Sequence, residues 1–329
     1  MPAAIHLFSF LYRMGCRFRN LFFDKGLLPS AAAPLPVVSV GNLEFGGSGK
    51  TPLSMELLRF FLANGIRPAL ITRGYRGKWE HKGGVLSEGK GVLGGWRDSG
   101  DEPFMASRAF PAAGVYVGKD RLTSCRKAQA AGFQIAVLDD GFQHRQLKRN
   151  LDIVLFDPGE KIRLREPVSA LKRTHMVLIR TDPNKVSNWR RRYPLLRFYP
   201  FQVIPQGLFK AGTEEPQPFQ KGELRYLALC GIARPERFAP LLDQAGIQPV
   251  EVLHFPDHHS YPARSLRRIR QQLAATGADA VLTTEKDAVK LEDSPFFQDV
   301  PLYFLRIGLK IDPDFYTDVL ASVGPPSVP

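Results

Sequence analysis

A chain of 329 residues, 44% of them apolar, with 45 Lys and Arg against 32 Asp and Glu, is long enough for two globular domains of roughly 100–200 residues each. Its net charge of +13 implies an anionic partner, whether nucleic acid, phospholipid surface or acidic small molecule, without choosing among them. Three scattered cysteines, an odd count with no CxxC spacing, suggest neither a disulfide framework nor a zinc site and suit a reducing cytoplasm.

Residues 1–30 carry Ile5, Leu7, Phe8, Phe10, Leu11 and Tyr12, then Arg13, Arg17 and Arg19 interleaved with Met14, Phe18, Leu21, Phe22 and Phe23. No uncharged run approaches the roughly 20 residues of a bilayer span, and no small-residue cleavage site follows a long apolar core. The spacing predicts a helix with two readings: an amphipathic helix in the headgroup region of an anionic membrane, or a first helix packed on the domain.

The β-branched run Val37-Val38-Ser39-Val40 breaks into Gly41-Asn42-Leu43-Glu44-Phe45-Gly46-Gly47-Ser48-Gly49-Lys50-Thr51, and an apolar-periodic segment follows over residues 53–62. Strand, glycine-rich loop and helix in this order form a phosphate loop. Its glycines let several backbone N–H groups face one polyphosphate, Lys50 reaches the β/γ oxygens, and the Thr51 hydroxyl can hold Mg²⁺. Residues Glu44, Phe45, Gly46, Gly47, Ser48, Gly49, Lys50 and Thr51 are therefore expected to bind a nucleoside triphosphate. Glu44 stands where the eight-residue pattern asks for glycine, which a cradle of main-chain amides tolerates.

Residues 68–73 read as a second strand running into Gly74-Tyr75-Arg76-Gly77, and residues 77–100 as an irregular glycine- and charge-rich excursion. Asp101 and Glu102 open a helical segment. They can stabilise its positive end, or one can accept the proton of an attacking hydroxyl while the other helps hold a metal. A strand at 115–117, a helix at 119–131 and strands at 134–138, 151–156 and 176–180 continue the alternation, which argues a doubly wound, mainly parallel α/β sheet of the P-loop NTPase kind. Ligands bind at the carboxyl ends of such strands, where the glycine loop, Asp139 and Asp140 all fall. Asp139 or Asp140 is thus the expected Mg²⁺-orienting acid. His144 in Gly141-Phe142-Gln143-His144 is placed beside the same site, and Arg163, Arg165, Lys172 and Arg173 are either phosphate contacts or solvated charge.

From these patterns residues 31–185 form the nucleotide-binding domain. The proline-rich stretch 186–223, with its basic Arg190-Arg191-Arg192, reads as a linker with a β-hairpin, and residues 224–329 as a second, smaller α/β domain. Within the latter, Asp257-His258-His259 pairs a carboxylate with imidazoles that could orient a general base or simply occupy a solvated loop.

The ordered set Gly41-Asn42, Gly46 to Pro52, Arg73-Gly74-Tyr75-Arg76-Gly77, Gly100-Asp101-Glu102-Pro103, Asp139-Asp140-Gly141-Phe142-Gln143-His144, Leu164-Arg165-Glu166-Pro167, Asp257-His258-His259 and Thr284-Glu285-Lys286-Asp287-Ala288-Val289-Lys290-Leu291 resembles the tetraacyldisaccharide 4′-kinase family, the lipid A 4′-kinases of Gram-negative bacteria. The resemblance implies ATP- and Mg²⁺-dependent phosphorylation of the 4′-hydroxyl of a lipid A disaccharide precursor, forming lipid IVA, by a peripheral protein at the cytoplasmic face of the inner membrane. It turns the amino-terminal helix toward membrane contact. It implies that Asp101 is the hydroxyl-activating base assisted by His258, that Lys50 and Thr51 are the phosphate-loop pair, and that Glu102, Asp139 and Asp140 match acidic metal-site positions. Substrate contacts fall to Tyr75 and Arg165, with His144 beside them. Against the family pattern, Glu44 and the hydrophilic segment 161–163 are unusual.

The rival reading is a membrane-associated P-loop nucleotide switch regulating a partner. Guanine specificity asks for Asn-Lys-x-Asp, and Asn184-Lys185-Val186-Ser187 lacks the acid. No zinc-finger, RNP or basic-zipper pattern accompanies the positive charge, so nucleic acid is not an expected partner, and no obligate protein partner is evident.

Overall fold

The computed structural model describes residues 15–16, 18–44, 46–47, 49–158, 164–181, 183–213, 216–217 and 224–324. Most of the expected interfacial segment (residues 1–14 and 17), the loop residues Phe45 and Ser48, and residues 161–163 lie outside the described residues. The chain divides into two compact units that are not colinear with it: residues 1–73, 119–202 and 311–329 form the first, and residues 74–118 and 203–310 the second.

The first unit is built on a parallel sheet. Val37–Asn42 is paired on one side with Ile135–Leu138, itself paired with Pro68–Thr72, and on the other with Leu151–Phe156, beyond which come Met176–Ile179 and the start of Arg197–Lys210. Every residue of Val37–Asn42, Ile135–Leu138, Leu151–Phe156 and Met176–Ile179 is buried, as strands covered on both faces require, and this explains their largely apolar runs, in which Ser39, Asn42 and Asp152 are the buried polar residues. Helix Lys50–Ala63 follows the central strand and buries Leu53, Leu57, Leu58 and Phe61. Parallel pairing places the loop after Asn42 and the turn after Leu138 at the same sheet edge, which brings the glycine loop to Asp139 and Asp140.

In the second unit, Glu251–His254, Tyr226–Cys230, Ala280–Thr284 and Leu302–Ile311 pair in that order, all parallel. Alternation along Tyr226–Cys230 feeds two cores. Tyr226, Ala228 and Cys230 pack with Phe238 and Leu242, while Leu227 and Leu229 pack with Ile269, Leu273 and Leu291.

The excursion at 77–100 is more regular than its composition suggests. It holds helix Trp79–Lys82, strand Gly84–Glu88 paired antiparallel with Gly114–Val117, and helix Trp96–Ser99. Its glycines make room for an indole: a Cβ on Gly84 would lie 2.3 Å from the Trp79 ring and one on Gly94 2.6 Å from it. The proline-rich stretch contains helix Val186–Arg192 and then the 14-residue strand Arg197–Lys210, whose end pairs with Pro216–Gln217.

Gly41 lets the central strand end against the turn that follows Asp140, because a Cβ there would sit 2.3 Å from Phe142 Cβ and 3.0 Å from its backbone nitrogen. Gly41→Ala is expected to cost about 1–3 kcal/mol, read as a lower denaturant midpoint. An unchanged midpoint would show that the two segments can separate freely.

Candidate functional site

In the first unit the phosphate loop ends at Gly49, whose left-handed backbone (φ 95°) caps helix Lys50–Ala63 without a side chain. Gly46 is also left-handed at φ 94°. Lys50 Nζ lies 3.4 Å from Asn42 Oδ1 and 3.5 Å from Asp140 Oδ1, so the ammonium spans the strand end and the neighbouring acid. Arg165 Nη1 approaches both Asp140 oxygens at 3.2 and 3.3 Å. Burial raises the pKa of Asp140, but Lys50 and Arg165 outweigh it and hold the carboxyl below its ordinary value. Asp140 itself is left-handed (φ 49°). Asp139, buried, accepts a hydrogen bond from Ser54 Oγ at 2.8 Å, one helical turn beyond Lys50.

Arg121 is buried beside these acids: burial pushes its guanidinium down to about 10 while Asp139 and Asp140 oppose the shift. Nothing local in helix Arg121–Ala130 marks this residue, and sequence reasoning missed it. Glu44 is fully buried and its Oε1 accepts from the Asp157 N–H at 2.9 Å, which ties the start of the loop to the end of strand Leu151–Phe156. Its carboxylate is spent on the backbone, while Gln143 Nε2 donates to the Asn42 carbonyl at 2.9 Å.

The second unit holds a second constellation. Asp101, 5% exposed, begins helix Asp101–Ala109 after the N-cap Gly100, and its Oδ1 accepts the Glu102 N–H at 3.0 Å, which puts negative charge on the positive end of the helix. The same carboxylate also meets His258 Nδ1 at 3.0 and 3.1 Å. Lys290 Nζ is 3.4 Å from Asp101, and Lys286 Nζ is 3.0 Å from Glu102 Oε1 and 3.1 Å from Asp257 Oδ1. Burial raises the pKa of Asp101, yet the hydrogen bond from His258 and the charges of Lys286 and Lys290 hold it well below the usual carboxylate range. Tyr75, half-exposed, sets its ring edge against His258 with centroids 5.2 Å apart. The two lysines come from the Thr284 to Leu291 motif; their i, i+4 spacing was legible, their partner was not.

Thr51, Asp139 and Asp140 offer hard oxygen donors of the kind Mg²⁺ takes, and Asp140 is held ionised. Asp101, Glu102 and His258 also bring ligand atoms within 4.8 Å of one another. There, however, the ammonium groups of Lys286 and Lys290 compete with any dication for the same oxygens.

A glycine loop ending in Gly-Lys-Thr between a buried parallel strand and its helix, with two acids at the next strand end, defines a P-loop nucleotide-binding protein. The family model for tetraacyldisaccharide-1-P 4′-kinase (LpxK) matches residues 1–324. The tetraacyldisaccharide 4′-kinase of Syntrophus aciditrophicus is 34% identical over 94% of this chain and 89% of its own, and that of Koribacter versatilis 36% over 96% and 97%. The crystal structure of LpxK from Aquifex aeolicus in complex with ATP superposes with a TM-score of 0.76 at 26% identity, covering 98% of this chain and 99% of that one. The chain belongs to the tetraacyldisaccharide 4′-kinase family.

His144 carries a pH dependence that can be measured. Burial first, then Arg121 and Arg149, push its imidazole from 6.5 down to about 4. The unfolded chain then takes the proton first, so stability is full above about pH 6.5 and declines as pH falls toward 4. In His144→Gln the urea midpoint should fall less between about pH 7 and about pH 4.5 than in the wild type. Parallel profiles would remove His144 as the source.

Proposed function

We propose that the chain is the ATP-dependent kinase that phosphorylates the 4′-hydroxyl of a tetraacyl disaccharide 1-phosphate, with Asp101 as the group that receives the acceptor proton. The observation that carries this reading is the Asp101–His258 pair at 3.0 Å: a nearly buried carboxylate kept ionised offers oxygens that can accept a hydrogen bond from the attacking hydroxyl and take its proton as that oxygen bonds to phosphorus, while its cationic partners make it a weaker base than an ordinary carboxylate. The glycine loop, Lys50 and Thr51 take the triphosphate. The hydroxyl oxygen attacks the γ-phosphorus, the bond from that phosphorus to the β,γ-bridging oxygen breaks, the hydroxyl proton passes to Asp101, and ADP leaves. Thr51, Asp139 and Asp140 would hold Mg²⁺, which when bound offsets charge on the phosphates. Asn42 and Asp140 keep the Lys50 ammonium at the strand end, ready for the transferring group. Tyr75, Arg165 and His144 are the candidate contacts for the disaccharide.

Phosphate appearing on the sugar after incubation with ATP, Mg²⁺ and a detergent-dispersed tetraacyl glucosamine disaccharide tests the activity directly; ATP hydrolysis without sugar phosphate would favour a nucleotide switch. Asp101→Asn is expected to keep ATP affinity and lose about 10²- to 10⁴-fold in kcat. Near-wild-type turnover would remove Asp101 from the mechanism.

The acyl chains of such a substrate lie in a bilayer, and two features support an anionic inner-membrane surface, reached from the cytoplasmic side, as the working location. Phe18, Leu21 and Phe22, at i, i+3 and i+4 of the helical residues 18–24, are exposed, and Leu27 and Leu28 extend the apolar surface. In the second unit, helix Ala263–Thr276 carries exposed Arg264, Arg267, Arg268 and Arg270 and no acid. Among the described residues no helix is long and apolar enough to cross a membrane. Replacing Phe18, Leu21 and Phe22 by serine should lower flotation with anionic vesicles, and undiminished flotation would count against this stripe.

A further inference from the structure

The motif Thr284 to Leu291 is the part of the sequence that the reaction above leaves without a task. It begins helix Glu285–Leu291 at the carboxyl end of strand Ala280–Thr284, and its first turn is tied down twice. Thr284 Oγ1 caps the Asp287 N–H and donates to Asp287 Oδ2 at 2.8 Å, and the same carboxylate oxygen accepts the Gly231 N–H at 2.8 Å from the end of the adjacent strand. Lys290, one turn on, pairs with Asp287 at 2.8 Å. Lys286 is thus presented from a fixed helical turn rather than from a mobile surface.

Its ammonium has three protons and no lone pair, and it meets three acceptors: Glu102 Oε1 at 3.0 Å, Asp257 Oδ1 at 3.1 Å and His258 Nε2 at 3.2 Å. Burial lowers the pKa of Lys286, but Glu102, Asp101 and Asp257 more than offset it, so the amine stays protonated and can only donate. A nitrogen that accepts from Lys286 has its lone pair there, so the ring proton must sit on Nδ1, the atom facing both Asp101 oxygens. The Nε2 atom is also 3.9 Å from Asp257 Oδ2, too long for a hydrogen bond that would demand a proton on that side.

We propose that Lys286 is the positioning residue of the Asp101–His258 pair: its ammonium holds Nε2 of His258 as an acceptor and thereby directs Nδ1–H at the Asp101 carboxylate. His258 then orients and stabilises the ionised base and is not the next carrier of its proton, because the only free ring position faces a cation. Lys286 also clamps Asp257 and His258 to the helix bearing Glu102, which fixes a loop whose His258 backbone is left-handed (φ 56°).

The inference rests on the assignment of Asp101 as base, and the test separates the two. The full chain, labelled with ¹⁵N-histidine, is read by long-range ¹⁵N–¹H correlation, with His258 assigned by its loss in His258→Gln. The wild type is expected to show protonated Nδ1 and unprotonated Nε2, and Lys286→Met to lose that pattern. Lys286→Met should also lower kcat about 10- to 100-fold with KM for ATP unchanged, and Lys286→Arg should recover part of it. A proton on Nε2 in the wild type overturns the proposal, and this measurement decides even if Lys286→Met fails to fold. An unaltered His258 pattern in a folded Lys286→Met overturns it equally. Wild-type-like turnover in Asp101→Asn together with the expected ring pattern would instead sink the base assignment and leave the Lys286 geometry standing.

Discussion

Side-by-side parallel pairing of Val37–Asn42 with Ile135–Leu138 is the constraint on which the nucleotide half of this protein depends. Two parallel strands present their carboxyl ends at one edge, so a turn of backbone amides and a pair of carboxylates meet although some 90 residues separate them in the chain. Several contacts in the first unit serve that adjacency. Gly41 allows the close approach of Phe142, Glu44 ties the loop to the backbone of Asp157, and Ser54 steadies Asp139. Lys50 and Arg165 then supply the positive charge that keeps Asp140 ionised beneath the loop.

The second unit reaches a comparable result by different means. Its chemistry is gathered from three sequence-distant segments: a helix start carrying Asp101 and Glu102, a loop carrying Asp257 and His258, and the helix turn carrying Lys286 and Lys290. Gathering three carboxylates, of which Asp101 is buried and Glu102 and Asp257 are partly exposed, with two ammonium groups is tolerable because each finds a charged or hydrogen-bonding partner. The resulting field opposes desolvation and keeps the Asp101 carboxyl ionised. A nearly buried acid with no such partners would rise toward neutrality and lose its capacity to take a proton.

Much of the fold was legible because the signals were local. The β-branched run before the glycine loop, the Gly-Lys-Thr ending and the acids after a short apolar strand each specify their structure within a few residues, and the motif order identified the family. The excursion at 77–100 misled because glycine was read as irregularity, whereas Gly84 and Gly94 are small so that the Trp79 ring can pack over them. Arg121 was illegible because a buried arginine in a helix has no periodic signature, and its acids come from another segment. Lys286 and Lys290 were visible as a motif without a purpose, since their partners lie roughly 185 residues earlier in the chain. Pattern reasoning sees spacing along a strand or helix; it does not see which distant turn a sheet will bring alongside.

His258 and Tyr261 both hold left-handed backbone, at φ 56° and 50°, in a loop where glycine or asparagine would be at ease. A search for more robust versions of this enzyme by backbone-favoured replacement would be drawn to such positions, and at His258 would trade away the imidazole for a gain in folding free energy. Thermostability selected without a turnover screen would therefore converge on well-folded, inert chains.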